Sequence, residues 1–243
     1  MYTVNKTIQT LALTASLLSV TTVASTTAIA SSTAPQESTS KLLTANFESR
    51  NVVKIEAGDF HFVPGQVAPI HTHAAPAVGY VAKGQILYQV EGEKPRLLNE
   101  GDVFYEPAGP RILRFDNASA TEETIFIDFN LQQLGEPFIV FEKELTEKID
   151  RRTLPTVEMD GLDVDQVDMF VSELEPDGSK NRENQELVLG YVAEGIVELT
   201  IQGEAKRQIV AGGSFSLPLD KSKVTIVNAS SKVPAKVISF YLR

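Results

Sequence analysis

The chain repeats itself. Gly79-Tyr80-Val81-Ala82-Lys83-Gly84 returns as Gly190-Tyr191-Val192-Ala193-Glu194-Gly195, at an offset of 111 residues. The same offset pairs Gly92-Glu93 with Gly203-Glu204, Gly101 with Gly212, Phe104 with Phe215, Pro107 with Pro218 and Asn117-Ala118-Ser119 with Asn228-Ala229-Ser230. It runs on through Ile127 and Ile238, Phe129 and Phe240, and Leu131 and Leu242. A single shared hexapeptide can arise by chance, but collinear matches from Gly79 to Leu131 without a gap do not. The pattern is that of a tandem duplication, and it predicts two like-folded units in one chain.

Each unit reads as β. Gln85-Ile86-Leu87-Tyr88-Gln89-Val90 and Ile196-Val197-Glu198-Leu199-Thr200-Ile201 alternate apolar and polar residues and end at glycine-containing turns. Ile125 to Phe129 and Val237 to Tyr241 close their units in the same way. Short strands at this spacing point to a sandwich or a closed barrel. Barrels are expected over residues 47–135 and 166–243. The connector at 136–165 should contain a short helix from Lys143 to Arg151, which Pro155 prevents from extending.

The N-terminus has the order of an export leader: Lys6, an apolar stretch from Ile8 to Val23, and the small-residue site Ala28-Ile29-Ala30. Residues 1–30 are therefore expected to direct the chain to the periplasm or the exterior. The Ser- and Thr-rich stretch Ser31 to Asn46 reads as a disordered spacer. The net charge of -10, with no basic cluster, argues against nucleic acid or an anionic membrane surface as a partner once the leader is removed. The chain has no cysteine, which excludes disulfides, thiolate metal sites and cysteine nucleophiles.

Pro64-Gly65, His71-Thr72-His73, Pro76, Gly79-Tyr80-Val81 and Gly84 resemble the first conserved motif of the cupins. Gly101-Asp102, Pro107, Gly109 and Asn117 resemble the second. With the repeat, the resemblance implies a bicupin: an all-β protein of two tandem double-stranded β-helix (jelly-roll) barrels. The quercetin-dioxygenase branch is the one it most resembles. It also implies a pocket inside each barrel and, in most members, a divalent metal held by three His and one Glu. Two of those His correspond to His71 and His73, which as residues i and i+2 of a strand share one face. Imidazole suits Fe, Mn, Ni, Cu or Zn. Homodimerisation is a further implication of the family.

The sequence departs from that ligand pattern. Ala77 stands where the family places its Glu, and Arg111-Ile112-Leu113 offer no third His. Glu106, just before Pro107, is the candidate replacement carboxylate, giving the two-His, one-carboxylate set of oxygen-activating iron sites. The pocket wall is expected to include Ala77, Tyr80, Arg111 and Leu113. His61, between Phe60 and Phe62, is expected to face away from the core. In the second unit the offset sets Arg182 against His71, Asn184 against His73 and Val188 against Ala77, so no metal site is expected there. Arg182 reads either as a carboxylate clamp inside the barrel or as part of a solvated turn.

Three functions fit these residues. The first is a metal-dependent, dioxygenase-like enzyme acting on a small organic molecule, with His71 and His73 catalytic. The second is a non-catalytic bicupin that binds a small molecule or serves as an accessory protein. The third is a metal-free lyase, isomerase or cyclase with His71 or His73 as general base.

Overall fold

The computed structural model describes residues 37–144, 148–183, 185–217, 219–220 and 222–243. The leader expected over 1–30 lies outside them. In chain order the first ten strands are β1 (Glu37–Phe62), β2 (His71–Thr72), β3 (Ala77–Lys83), β4 (Gln85–Val90), β5 (Arg96–Asn99), β6 (Val103–Glu106), β7 (Arg111–Asn117), β8 (Thr124–Gln132), β9 (Val140–Phe141) and β10 (Asp150–Thr153). There follow β11 (Val157–Leu174), β12 (Ser179–Glu183), β13 (Leu187–Glu194), β14 (Ile196–Ile201), β15 (Arg207–Val210), β16 (Ser214–Leu217), β17 (Lys223–Asn228) and β18 (Ala235–Leu242). The fold is all-β, with no helix among the described residues.

One long sheet runs in the order β16-β13-β18-β11-β1-β8-β3-β6 and serves both barrels. A smaller sheet, β5-β4-β7-β2-β9, closes the first barrel, and β12-β17-β14-β15 closes the second. Alternation along each strand divides the side chains between two destinations. On β8, Phe126, Asp128 and Asn130 are buried on one face, while Ile127, Phe129 and Leu131 join the core shared between the barrels. On β3, Val81 points inward while Val78 and Tyr80 join the shared core.

The shared core is organised about a pseudo-two-fold axis. Tyr80 meets its own counterpart Tyr191 at 6.0 Å between ring centroids, and Phe129 meets Phe240 at 5.1 Å. The β1–β11 ladder obeys the same relation. Asn46 pairs with Gln166 and Ile55 with Val157, and adding the offset to one pair yields the other. Contacts between equivalent residues are the mark of an isologous interface, here contained within one chain.

The recurring glycines have local causes. Gly84 and Gly195, each at φ +78°, join β3 to β4 and β13 to β14, a left-handed conformation that other residues resist. A Cβ on Gly79 or Gly190 would run into the ring of Phe104 or Phe215, so the glycine and the phenylalanine of each unit are a packed pair. Asn117 and Asn228 are buried, and each donates its amide to three backbone carbonyls: Phe62, Val63 and Glu122, and Leu174, Glu175 and Val233. These bonds tie the final turn of each barrel to its first strand. They also explain the mirrored Asn-Ala-Ser sequences as structural turns.

Two expectations about the linking segments are corrected. Glu37 to Asn46 is not a disordered spacer but the first part of β1, paired in register with β11. Thr and Ser are tolerated in a strand, and Ala45 is buried on the shared face. No helix is present among the described residues of Lys143–Arg151, and its last two residues belong to β10 (Asp150–Thr153), paired antiparallel with Gly58–His61 of β1. Tertiary pairing with an available sheet edge overrides the local helical preference. The segment at 136–165 is therefore no separate connector, since β9 and β10 both complete the first barrel.

Candidate metal centre

His71 and His73 enter the first barrel from β2. His71 pairs with Ile112 of β7 on one side and Phe141 of β9 on the other, and His73 bridges to Ala108. Both imidazoles are buried. His71 Nδ1 lies 2.8 Å from the Pro69 carbonyl oxygen, and His73 Nδ1 lies 3.0 Å from that of Phe138. A carbonyl accepts only, so these partners assign the proton to Nδ1 in each ring. That leaves Nε2 of each neutral ring as the atom a metal would bind, the arrangement by which metal-binding histidines are usually oriented; without a metal His73 carries a proton there as well.

Glu106 meets them from β6. Its Oε1 lies 3.8 Å from His71 Nε2, and its Oε2 lies 3.3 Å from His73 Nε2. Ligand atoms of all three residues fall within 4.8 Å of one another, and all three side chains are buried. His73 Nε2 and Glu106 Oε1 have no hydrogen-bond partner although both are enclosed. Buried polar atoms left unsatisfied are costly, and a divalent cation among them would satisfy both. Two imidazoles and one carboxylate match the donor set of transition metals. The residues fit the ion.

The ladder explains how the ligand set survives an alanine at the expected glutamate position. Ala77 and Glu106 are direct cross-strand partners. Their side chains project to the same face, so a carboxylate lost from β3 is recovered from β6. The missing third imidazole is not recovered. Ile112, buried beside His71, takes that place with a hydrocarbon side chain.

The charges in the centre are coupled. Burial alone would raise the Glu106 carboxyl, but His73 and His71 outweigh it and lower it to about 2. Burial alone would lower His73, yet the nearby Glu106 carboxylate, the charge of Asp128 and the Phe138 carbonyl raise it to about 9. Asp128 on β8 faces the same space. Burial first, and the Glu106 charge second, raise it to about 7 against the pull of His73 and Arg151. Asp128 is thus about half protonated at neutral pH, whereas Glu106 is ionised. Asn130, next inward on β8, donates from Nδ2 to the Ala75 carbonyl at 3.3 Å.

A small cavity opens over the centre. Its walls are His71, His73, Glu106 and Asp128 with Phe60, Phe62, Phe115, Phe126 and Phe141. The structure thus brings together His71, His73 and Glu106, but the four residues expected in the pocket wall do not line it. Ala77 is buried behind Glu106. Tyr80 points into the shared core because strand parity sends it to the opposite face from Ala77 and Gly79. Arg111 lies outside, paired with Glu142 and Glu91, because Ile112 takes the inward turn. Leu113 falls in the ladder irregularity between Val90–Ile112 and Gln89–Arg114, which leaves it without a cross-strand partner. His61 faces away from the cavity as expected, with its ring nitrogens 3.2 Å from Asp59 and from Glu123.

Asp128, Asn130 and the β9 residue Phe141 were not anticipated. Asp128 and Asn130 are polar residues alternating inside the apolar run Ile125-Phe126-Ile127-Asp128-Phe129-Asn130-Leu131, a pattern that could have marked them as inward-facing. Phe141 had no such mark, because its strand exists only by pairing with β2.

Residues 52–129 match the family described as the cupin domain. No curated protein matches the chain in sequence. Among solved structures, the fold is similar to salicylate 1,2-dioxygenase from Pseudaminobacter salicylatoxidans, at TM-score 0.55 and 14% identity over 78% of this chain and 71% of that one. A structure of the same dioxygenase with gentisate aligns at TM-score 0.55 and 12% identity, covering 85% and 81%. AerE from Microcystis aeruginosa aligns at TM-score 0.56 and 14% identity, covering 84% and 98%. At such identities the likeness is one of fold.

Proposed function

We propose that this protein is an exported, metal-dependent oxygenase that acts on a small planar organic molecule in its first barrel. The observation that carries this reading is the set of three buried ligand residues, two of them with unsatisfied polar atoms, opening onto a cavity walled by aromatic rings. His71, His73 and Glu106 would hold the metal. A divalent transition ion there, iron foremost, supplies Lewis acidity and redox chemistry towards dioxygen.

The remaining work falls to the chain itself. The Pro69 and Phe138 carbonyls hold the two imidazoles in one tautomer and orientation. Phe60, Phe62, Phe115, Phe126 and Phe141 keep water out and offer ring faces to a planar substrate. Asp128, protonated up to about pH 7, holds a proton at the cavity wall from which to donate to a substrate oxygen. The cavity is small, so a single-ring or short enol compound is the substrate class proposed. The gentisate bound to the similar dioxygenase belongs to that class.

The same reading has both barrels descending from one half-length ancestor copied head to tail. The matched offset and the pseudo-two-fold contacts Tyr80–Tyr191 and Phe129–Phe240 support it. Export rests on the leader pattern of residues 1–30 and is checked by the mature N-terminus, expected at Ser31; secreted protein still carrying Met1 contradicts it.

The test of activity is oxygen uptake by iron-loaded protein offered gentisate, salicylate and short enols. Substrate-dependent uptake that disappears in Glu106→Leu supports an oxygenase. Fully metal-loaded protein that binds these compounds without consuming oxygen would establish a binding protein instead.

A further inference from the structure

His73 is oriented by the Phe138 carbonyl oxygen, 3.0 Å from its Nδ1. Phe138 lies in the irregular chain between β8 and β9, outside any ladder, so its side chain has the work of holding it in place. The ring is buried, and the guanidinium of Arg151 lies on it, 3.8 Å from the centroid. We propose that Arg151 is a positioning residue for His73, acting through Phe138.

Arg151 reaches Phe138 from β10, where it is the direct cross-strand partner of Phe60. Side chains of such a pair share a face, which sets the guanidinium beside the Phe60 ring as well, 5.8 Å from its centroid. Its Nη2 donates to Glu56 Oε1 at 2.6 Å, so the fork is tethered to β1 while its face lies on Phe138. β1 makes room for this. A Cβ on Gly58 would fall 2.7 Å from Arg151 Nε and 2.6 Å from Phe60 Cε2, too close for either to stay where it is. Glycine inside a strand costs stability, and the close approach of a neighbour is a reason to keep one. The cation is drawn to the ring face, and only a planar guanidinium can lie flat on it, so the contact calls for arginine rather than lysine. Contacts thus run from Glu56 through Arg151 and Phe138 to His73. Their bearing on metal binding rests on His73 being a ligand, as proposed for the first barrel.

The test is exchange of the His71 and His73 Nδ1 protons with solvent, followed by NMR in metal-free full-length protein. In Arg151→Ala the His73 proton is expected to exchange about tenfold faster or more, as its hydrogen bond to the Phe138 carbonyl loosens. The His71 proton, bonded to the Pro69 carbonyl, is expected to keep its rate. Arg151→Lys keeps the charge but not the planar stack; it should speed His73 too, and it covers the case in which Arg151→Ala does not fold. Arg152→Ala, on the same strand but facing the opposite way, should change neither proton. Cobalt(II) affinity should fall about tenfold in the Arg151 variants, the low end for changes to groups that orient a ligand. An unchanged His73 rate in both variants would overturn the proposal. So would equal acceleration at His71 and His73, the mark of a general loss of stability. The exchange needs no metal, so a His73 response in protein that binds no cobalt would uphold the role of Arg151 and contradict the metal centre instead.

Discussion

The two barrels are built on one plan and hold opposite electrostatics at the same address. In the first, two histidines, Glu106 and Asp128 surround a cavity suited to a cation. In the second, Arg182 and Lys180 face a recess where Leu217 and Ser239 replace the acids. The scaffolding residues, by contrast, are held in common: Gly79 and Gly190 under their phenylalanines, Asn117 and Asn228 tying their turns. The strand pattern tolerates any inward residue of suitable size, so the fold persists while the chemistry at its centre changes.

The sharpest way to break this contrast is to make the first barrel resemble the second at one ladder position. Glu106→Leu installs the side chain found at position 217 and removes the carboxylate from the three-residue ligand set. Metal affinity should fall by more than the about 10–100-fold typical of changes to supporting residues, measured by competition with a chromogenic chelator. Retained affinity would show that the carboxylate is not a ligand.

A second strike is at the seam. Phe240→Ala removes a fully buried ring that meets Phe129 across the pseudo-two-fold axis. A loss of about 3–5 kcal/mol is expected in denaturant unfolding. If the barrels are independent, only a separable transition should move; a single cooperative transition shifting as a whole supports one shared core.

How much of this contrast is written in the sequence differs by level. The repeat and the alternation of β4 and β14 reveal the barrels, because a period of two survives any change of outward residue. His71 and His73 are legible for the same reason, being two apart on a strand. Glu106 could be named but not oriented, since its role depends on lying opposite Ala77, a register no local pattern contains. Tyr80 was misplaced because a barrel strand buried on both faces gives no sign of which burial is the cavity and which the seam. β10 illustrates the limit most plainly: Asp150 and Arg151, the end of a stretch with helical composition, lie in a strand because an edge of β1 is there to receive them.

Acidity sharpens the comparison further. In metal-free protein, His73 has its pKa raised to about 9, so its stabilising contribution is complete below about 6.5 and is lost as pH rises through 9. Glu106 is lowered to about 2, so its contribution is complete above about 4.5 and is lost as pH falls through 2. Asp128, raised to about 7, adds a cost as pH climbs from about 4 to 7. The melting temperature of metal-free protein should therefore decline from pH 6.5 to 9, and that decline should be smaller in a His73→Gln, Glu106→Gln double variant. Added metal competes with protons for the same atoms, so the rise in melting temperature it produces should grow over this interval.

The smallest expected effect is at Arg111. Its side chain is paired on the surface with Glu142 and Glu91, outside the cavity. Arg111→Ala should leave metal affinity unchanged and shift thermal unfolding little, since exposed ion pairs contribute weakly.

The most direct test is a count of bound metal. Full-length protein loaded with ferrous iron under anaerobic conditions and desalted should hold one ion per chain, measured by mass spectrometry. A His71→Ala, His73→Ala double variant should hold none. Two ions per chain, or one that persists in the double variant, would contradict the assignment of metal chemistry to the first barrel alone.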